Sequence, residues 1–139
     1  GPYLYTPVLN QIIMQIEIIG HVRNNRESAS PSDADQMKQE VSYIDIDGKF
    51  GDGLFRIEKF SHLNVLFYFH KSSGYELQLT TRSGEFRGVF ASCAPIRPSL
   101  IGLTTVKLIE RDGNTLKVTG LDALNGTPVL DIKPVINQL

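Results

Sequence analysis

The stretch FSHLNVLFYFH, Phe60 to His70, repeats with a period of two. Read as one strand, it sets His62, Asn64, Tyr68 and His70 on one side and Leu63, Val65, Phe67 and Phe69 on the other. That is the pattern of a strand with one face in a core and one polar face. Runs of similar character surround it: VSYIDID upstream, then YELQLTT, RGVFAS, IGLTTVKLIE, TLKVTG and TPVLDIK downstream. All are rich in β-branched or aromatic residues and are separated by Gly, Pro, Asn or Asp, the composition of strands and turns. In QIEIIGHVR, Ile16, Ile18, Gly20 and Val22 share one face and Glu17, His21 and Arg23 the other, which predicts a first strand. ERDGNTL is the clearest hairpin signal, with Asp112-Gly113 suited to the positive φ angles of a two-residue turn. GKFGDG reads as a glycine-rich turn, and LFRIE as one helical turn placing Leu54 and Ile57 inward. The polar segment NNRESASPSDADQMKQE reads as an exposed loop, in which Ser32, Asp33 and Asp35 offer the start of a short helix. At least six short strands with brief connections predict a mainly β fold, an antiparallel barrel or sandwich with one or two short helical turns.

Composition bounds the function classes. A chain of 139 residues with 41% hydrophobic content suits one domain over residues 1–139, and no internal repeat is visible. Gly1-Pro2 reads as a protease-cleavage remnant, residues 1–13 as partly vector-derived or extended, and Met14 as close to an original start. A net charge of -1 and a pI of about 6.3 exclude a general electrostatic footprint for nucleic acid or membrane. The charge is uneven, however. From Lys71 to Lys107 five cations (Lys71, Arg82, Arg87, Arg97, Lys107) face two anions (Glu76, Glu85), giving +3 there and -4 elsewhere. A single cysteine excludes an intramolecular disulfide, no secretory pattern is present, and a cytoplasmic location follows by default. No apolar run approaches the roughly 20 residues of a membrane-spanning helix.

Few residues suggest chemistry by spacing alone. No GxGxxG follows a strand, and Gly48, Gly51 and Gly53 sit in a turn before one, which disfavours a parallel nucleotide-binding sheet. His62 and His70 lie about 26 Å apart along an extended strand and cannot share an ion. One cysteine and three scattered histidines have no metal-ligand spacing. In FASCAPIRPSLIGL, Phe90 to Leu103, the only nearby cation that would activate Cys93 is Arg97. The thiol therefore reads as a small buried or half-buried side chain. His62 reads as a locally hydrogen-bonded histidine, Asp131 with Lys133 as a surface ion pair, and Asp45 with Asp47 as a solvated strand end.

Three blocks, FSHLNVLFYFH, GVFASCAPIRPSLIGL and GLDALNGTPVLDIKP, occur in an order and spacing that resemble the TsaA-like (YaeB-like) family of β-barrel S-adenosylmethionine-dependent tRNA methyltransferases. There the second and third blocks read GVFATRSPxRPNPIGL and DxLDGTPVLDIKPY, and the resemblance runs from about Ile16 to Pro134, as in a short, divergent member. It implies a closed antiparallel β-barrel that works as a homodimer, takes S-adenosyl-L-methionine as cofactor and uses tRNA as substrate. The implied reaction is methylation of the exocyclic nitrogen of threonylcarbamoyladenosine beside the anticodon. By motif, the implied cofactor contacts are His70, Lys71, Phe90, Cys93, Leu103, Asp122, Ala123, Leu124 and Asn125. Asp122 would accept hydrogen bonds from the ribose or amino group, and Phe90 and Leu103 would cover the adenine. His70 is the candidate catalytic base, and Arg82, Arg87 and Arg97 are candidate phosphate contacts. The chain departs from the pattern at Cys93 (arginine in the family), Ala94 (serine), Ser99-Leu100 (Asn-Pro) and Asn125 (aspartate), and NNRESASPSDADQMKQE replaces a PRQP-type segment. The alternative is a non-catalytic module that binds S-adenosylmethionine or another adenosine ligand, or a methyltransferase with another substrate.

Overall fold

In a computed structural model, which describes residues 14–28 and 39–136, the alternating stretch becomes a strand over His62–Tyr68. Leu63, Val65 and Phe67 are buried, and His62 and Tyr68 are exposed. In chain order the strands are β1 (Gly20–Arg23), β2 (Val41–Ile46), β3 (His62–Tyr68), β4 (Gln78–Thr80), β5 (Phe86–Gly88), β6 (Ile101–Asp112), β7 (Thr115–Thr119) and β8 (Pro128–Pro134). Six of them close a barrel in the order β1-β2-β7-β6-β3-β8, with β8 returning to β1. Every pairing is antiparallel, and β4 and β5 form a separate two-stranded hairpin.

The barrel is filled by one inward residue in two from each strand. Val22, Ile44, Leu63, Val65, Val106, Leu116, Val118 and Val129 are almost wholly buried. Each such side chain contributes about 1.5–3 kcal/mol by leaving water. Two loop residues, Leu121 and Ala123, join the same core cluster, so the segment after β7 plugs one end of the barrel. Phe67 and Phe69 pack edge to face, with ring centroids 5.3 Å apart. At the other end, 3-10 turns at Gly48–Leu54 and Ile57–Lys59 bury Leu54 and pack Ile57 against the core, the inward placement expected of LFRIE. LFRIE itself is not one helical turn, because it spans the break between the two 3-10 turns, where Arg56 has φ 66°.

Several local expectations change. The first strand starts at Gly20, not in the QIEI segment: Ile16 and Ile18 are exposed, and Ile19 instead packs on the core and bonds to the carbonyl of Val129. The two turn residues after β6 are Gly113 and Asn114, one step beyond the expected Asp112-Gly113, because Asp112 still pairs with Thr115. Gly113 alone of the two has a positive φ, 61°. The glycine-rich GKFGDG is a 3-10 helix rather than an open turn, and a third 3-10 turn, Val89–Ala91, ends the RGVFAS run. Asp47, just past β2, is exposed as expected, but Asp45 is tied to neighbouring strands rather than merely solvated. Its carboxylate takes hydrogen bonds from Arg23 (2.8 Å) and Thr115 (2.8 Å), linking β1, β2 and β7. The Arg23 guanidinium holds this carboxyl below its ordinary range. Asp131 and Lys133 do form the surface ion pair, at 3.0 Å. The helix start at Ser32, Asp33 and Asp35 lies outside the described residues.

β1 runs close enough to β2 that a Cβ on Gly20 would lie 2.3 Å from the Asp45 carbonyl oxygen. Since backbone atoms cannot swing aside, Gly20→Ala is expected to lower stability by about 1–3 kcal/mol or more. Gly88→Ala, whose Cβ meets nothing closer than 3.7 Å, serves as control and stays within about 0.5 kcal/mol in urea unfolding.

Candidate functional site

Antiparallel pairing carries the ends of β1, β3 and β7 to the same end of the barrel. The loops that follow them, 24–28, 69–77 and 120–127, therefore meet there. The last of these is stitched to the first by backbone bonds: Gly126 donates to the Val22 carbonyl (2.7 Å), Asn125 to the Arg26 carbonyl (2.7 Å), and Val22 to the Thr127 carbonyl (2.9 Å). Gly126 adopts φ 83° to allow the turn, a conformation suited to glycine.

His70, Lys71, Asp122 and Asn125 belong to this end. Thr127, 2% exposed, has its Oγ1 3.3 Å from His70 Nδ1, within hydrogen-bond reach. Burial, then the positive charges of Lys71 and His21, hold the His70 imidazole below its ordinary value of 6.5. His70 is thus neutral at pH 7 and able to accept a proton. Lys71 Nζ donates to the Glu27 carbonyl (3.0 Å) and lies 3.9 Å from its carboxylate. Asp122 is exposed, and Thr104 Oγ1 donates to its Oδ1. Its other oxygen has no protein partner among the described residues.

Other expected contacts sit differently. The Ala123 side chain is core, and its carbonyl already accepts from Asn24 Nδ2 at 3.0 Å. Leu124 is half-buried and gives its carbonyl to the Thr127 amide at 3.1 Å. Leu103 lies on the outer face of β6, 61% exposed, one residue from Thr104, and Phe90 is 78% exposed in the loop after β5. Cys93 is exposed rather than buried, since its loop runs outside the barrel. No cluster of His, Cys, Asp or Glu suited to a metal is present among the described residues.

The +3 segment does not gather into one patch. Lys107 pairs with His62 at the far end of β3. Arg97 turns into its own loop, where Nη1 donates to the carbonyls of Ser92 (3.0 Å), Ala94 (3.1 Å) and Val89 (3.4 Å). Arg87 pairs with Glu85 and donates to the Ala91 carbonyl. Arg82 is exposed at the turn of the β4–β5 hairpin.

Asn24, Arg26, Glu27 and Thr127 escape the sequence reading. Asn24 Nδ2 bonds Ser42 Oγ and the Ala123 carbonyl, both at 3.0 Å. Arg26 buries its guanidinium, paired with Glu40. Only the polar run NNRE directly after β1 hints at the first three, and it carries no spacing signature, whereas Thr127 lies inside the block GLDALNGTPVLDIKP and could have been found there.

The geometry can be set beside known proteins. Residues 20–139 match the model of the tRNA-methyltransferase O N-terminal domain. A Pyrococcus abyssi protein named a probable S-adenosyl-L-methionine-binding protein is 39% identical over 109 residues, 78% of this chain and 59% of that protein. A human tRNA (adenine(37)-N6)-methyltransferase is 44% identical over 89 residues, 60% of this chain and 20% of that protein. The crystal structure of TrmO from Pseudomonas aeruginosa superposes with a TM-score of 0.74 at 30% identity, covering 91% of this chain and 56% of that one. The chain thus spans little more than half, or less, of each of these proteins.

Burial and Lys71 both act on His70, so its imidazole is expected to titrate below 6.5 in an NMR pH series, and Lys71→Gln is expected to move the midpoint upward. Between about 6.5 and that lower midpoint the unfolded chain binds the proton and the folded chain does not, so stability falls as pH falls through this window. His70→Gln is expected to remove that slope, read as the unfolding midpoint in urea against pH.

Proposed function

The chain belongs to the tRNA-methyltransferase O N-terminal domain family, and from that premise we propose that it is an S-adenosyl-L-methionine-dependent methyltransferase acting on tRNA. We propose as its acceptor the exocyclic nitrogen of threonylcarbamoyladenosine beside the anticodon. The observation that carries the reading is the convergence of His70, Lys71, Asp122 and Asn125 on one end of the barrel.

The residues present fit the cofactor. Asp122 offers a solvent-facing carboxylate for ribose hydroxyls or an ammonium group, and Phe90 and Leu103 offer exposed apolar surface for adenine. His70, Lys71 and Asn125 line the same end, the Leu124 and Ala123 backbone shapes the loop, and Cys93 belongs to the loop that carries Phe90. When bound, the cofactor supplies an electrophilic methyl group on a sulfonium. The protein's part is to orient the acceptor and exclude water, the main source of rate in such a transfer. His70, neutral at pH 7, is the group that would take the proton from the acceptor nitrogen. Arg82 and Arg87 on the hairpin would meet phosphates, whereas Arg97 would act through its loop.

A homodimer is part of this proposal. A mainly apolar groove of 360 Å³ on the outside of the barrel is lined by Ile16, Ile18, Tyr68, Ser99, Leu100, Ile101 and Leu130. Contiguous apolar surface of this kind suits a second copy. No helix among the described residues is long and apolar enough to cross a membrane, and a cytoplasmic setting accords with a tRNA substrate.

Titration with S-adenosylmethionine, followed by mass spectrometry of nucleosides from tRNA incubated with the protein, tests the proposal. Saturable binding and a methylated threonylcarbamoyladenosine are expected. Binding without methylation of any tRNA would overturn the tRNA substrate and favour the non-catalytic binding module, and absence of binding would sink both cofactor readings. Asp122→Ala is expected to raise the dissociation constant about tenfold or more, the loss of one hydrogen bond to a charged acceptor. Cys93→Arg, at an exposed position with room for the side chain, is expected to lower it.

A further inference from the structure

Three loops meet at the candidate site, but they are joined unequally. The loop after β1 and the loop 120–127 share several backbone bonds, including Asn125 N–H to the Arg26 carbonyl. Among the described residues the loop after β3 has no such stitching. It reaches the others through the Thr127–His70 contact and through Lys71. Lys71 ends on Glu27, whose backbone carbonyl accepts from Nζ at 3.0 Å and whose carboxylate lies 3.9 Å away. The other carboxylate oxygen of Glu27 accepts from Asn125 Nδ2 at 3.2 Å. One residue therefore touches both of the other loops.

Asn125 uses both ends of its amide. Oδ1 accepts the Asn24 N–H at 3.0 Å while Nδ2 donates to Glu27. An aspartate at this position would still accept from Asn24, but it would have no donor for Glu27 and would set two carboxylates against each other. An amide at residue 125 and an acid at residue 27 are thus a matched pair, with the negative charge held at residue 27 beside Lys71. Glu27 and Lys71 keep 71% and 50% of their side-chain surface exposed. Exposed ion pairs contribute little to stability, so the pairing matters for the placement of the loops rather than for the fold.

We propose that Glu27 is a positioning residue of the site: it ties the Lys71 loop to the Asn125 loop, and Asn125 is an amide because Glu27 is an acid. The inference rests on the cofactor site proposed above. Its test compares Glu27→Gln, Asn125→Asp and the exchange variant that combines them. S-adenosylmethionine titration is expected to give a dissociation constant raised about tenfold by Asn125→Asp and about threefold by Glu27→Gln, with recovery in the exchange variant to within about threefold of the parent. Melting temperatures are expected to stay within about 3 °C. Additive losses in the exchange variant, or affinity losses that track melting temperature, would overturn the proposal. A second readout needs no cofactor: Glu27→Gln is expected to shift the NMR signals of the Asn125 side-chain amide and of the Lys71 backbone amide together. If the Lys71 signal stays in place, the tie is refuted. A parent protein that binds no cofactor but shows both shifts sinks the cofactor reading and leaves the tie standing.

Discussion

Closure of the barrel depends on the seam between β1 and β8, where two residue pairs, Gly20 with Val129 and His21 with Pro128, join the first strand to the last. So short a ladder has little to hold it by itself, and it is extended at both ends. Ile19 donates to Val129 before the seam, and Val22 exchanges bonds with Thr127 and Gly126 after it. Tight approach is part of the same constraint. Gly20 lets β1 lie against the Asp45 carbonyl on its other side, so the strand is gripped between β2 and β8. Without closure the core valines would face water along an open edge, and the loops after β1 and β7 would not meet.

Because the seam also carries the first contacts of the 120–127 loop, fold and site share one element. Leu121 and Ala123 sink into the barrel end as core residues, leaving Asp122 between them to point outward. The alternation of a strand thus continues into a loop and selects which side chain is presented. The same economy governs the arginines. Arg26 is neutralised by Glu40 from a buried position, and Arg97 gives its Nη1 to three carbonyls of its own loop, so neither adds much to the surface potential. A count of charges along the chain therefore overstates the basic face open to a polyanion.

The fold was largely legible because a period of two survives wherever a strand has one buried face: β3, β7 and β8 can be read from Leu63, Val65, Val118 and Val129. It failed at Ile16 and Ile18, where apolar residues alternate but lie on the outside of β8, since alternation cannot tell a core face from an outer groove. The hairpin after β6 was found by its glycine, but its register slipped by one residue because the strand continues through Asp112. The site was legible only in part. His70, Lys71 and Asp122 sit in long motifs, whereas Asn24, Arg26 and Glu27 join them through a closure that links residues about a hundred positions apart. Nothing local in NNRE announces that contact.

The departures from the TsaA-like pattern at residues 93 and 125 are physically different in kind. Cys93 is exposed, and the path of its loop is set by Arg97 binding the carbonyls of Val89, Ser92 and Ala94. The backbone there does not depend on the side chain at residue 93, so replacing an arginine changes only what that position offers to a ligand. Asn125 points the other way, into bonds with Asn24 and Glu27. A change at residue 125 alters the loop's own hydrogen bonding, and it requires a partner of matching chemistry on the neighbouring loop. Residue 93 is therefore free to vary by itself, while residues 125 and 27 are constrained to vary together.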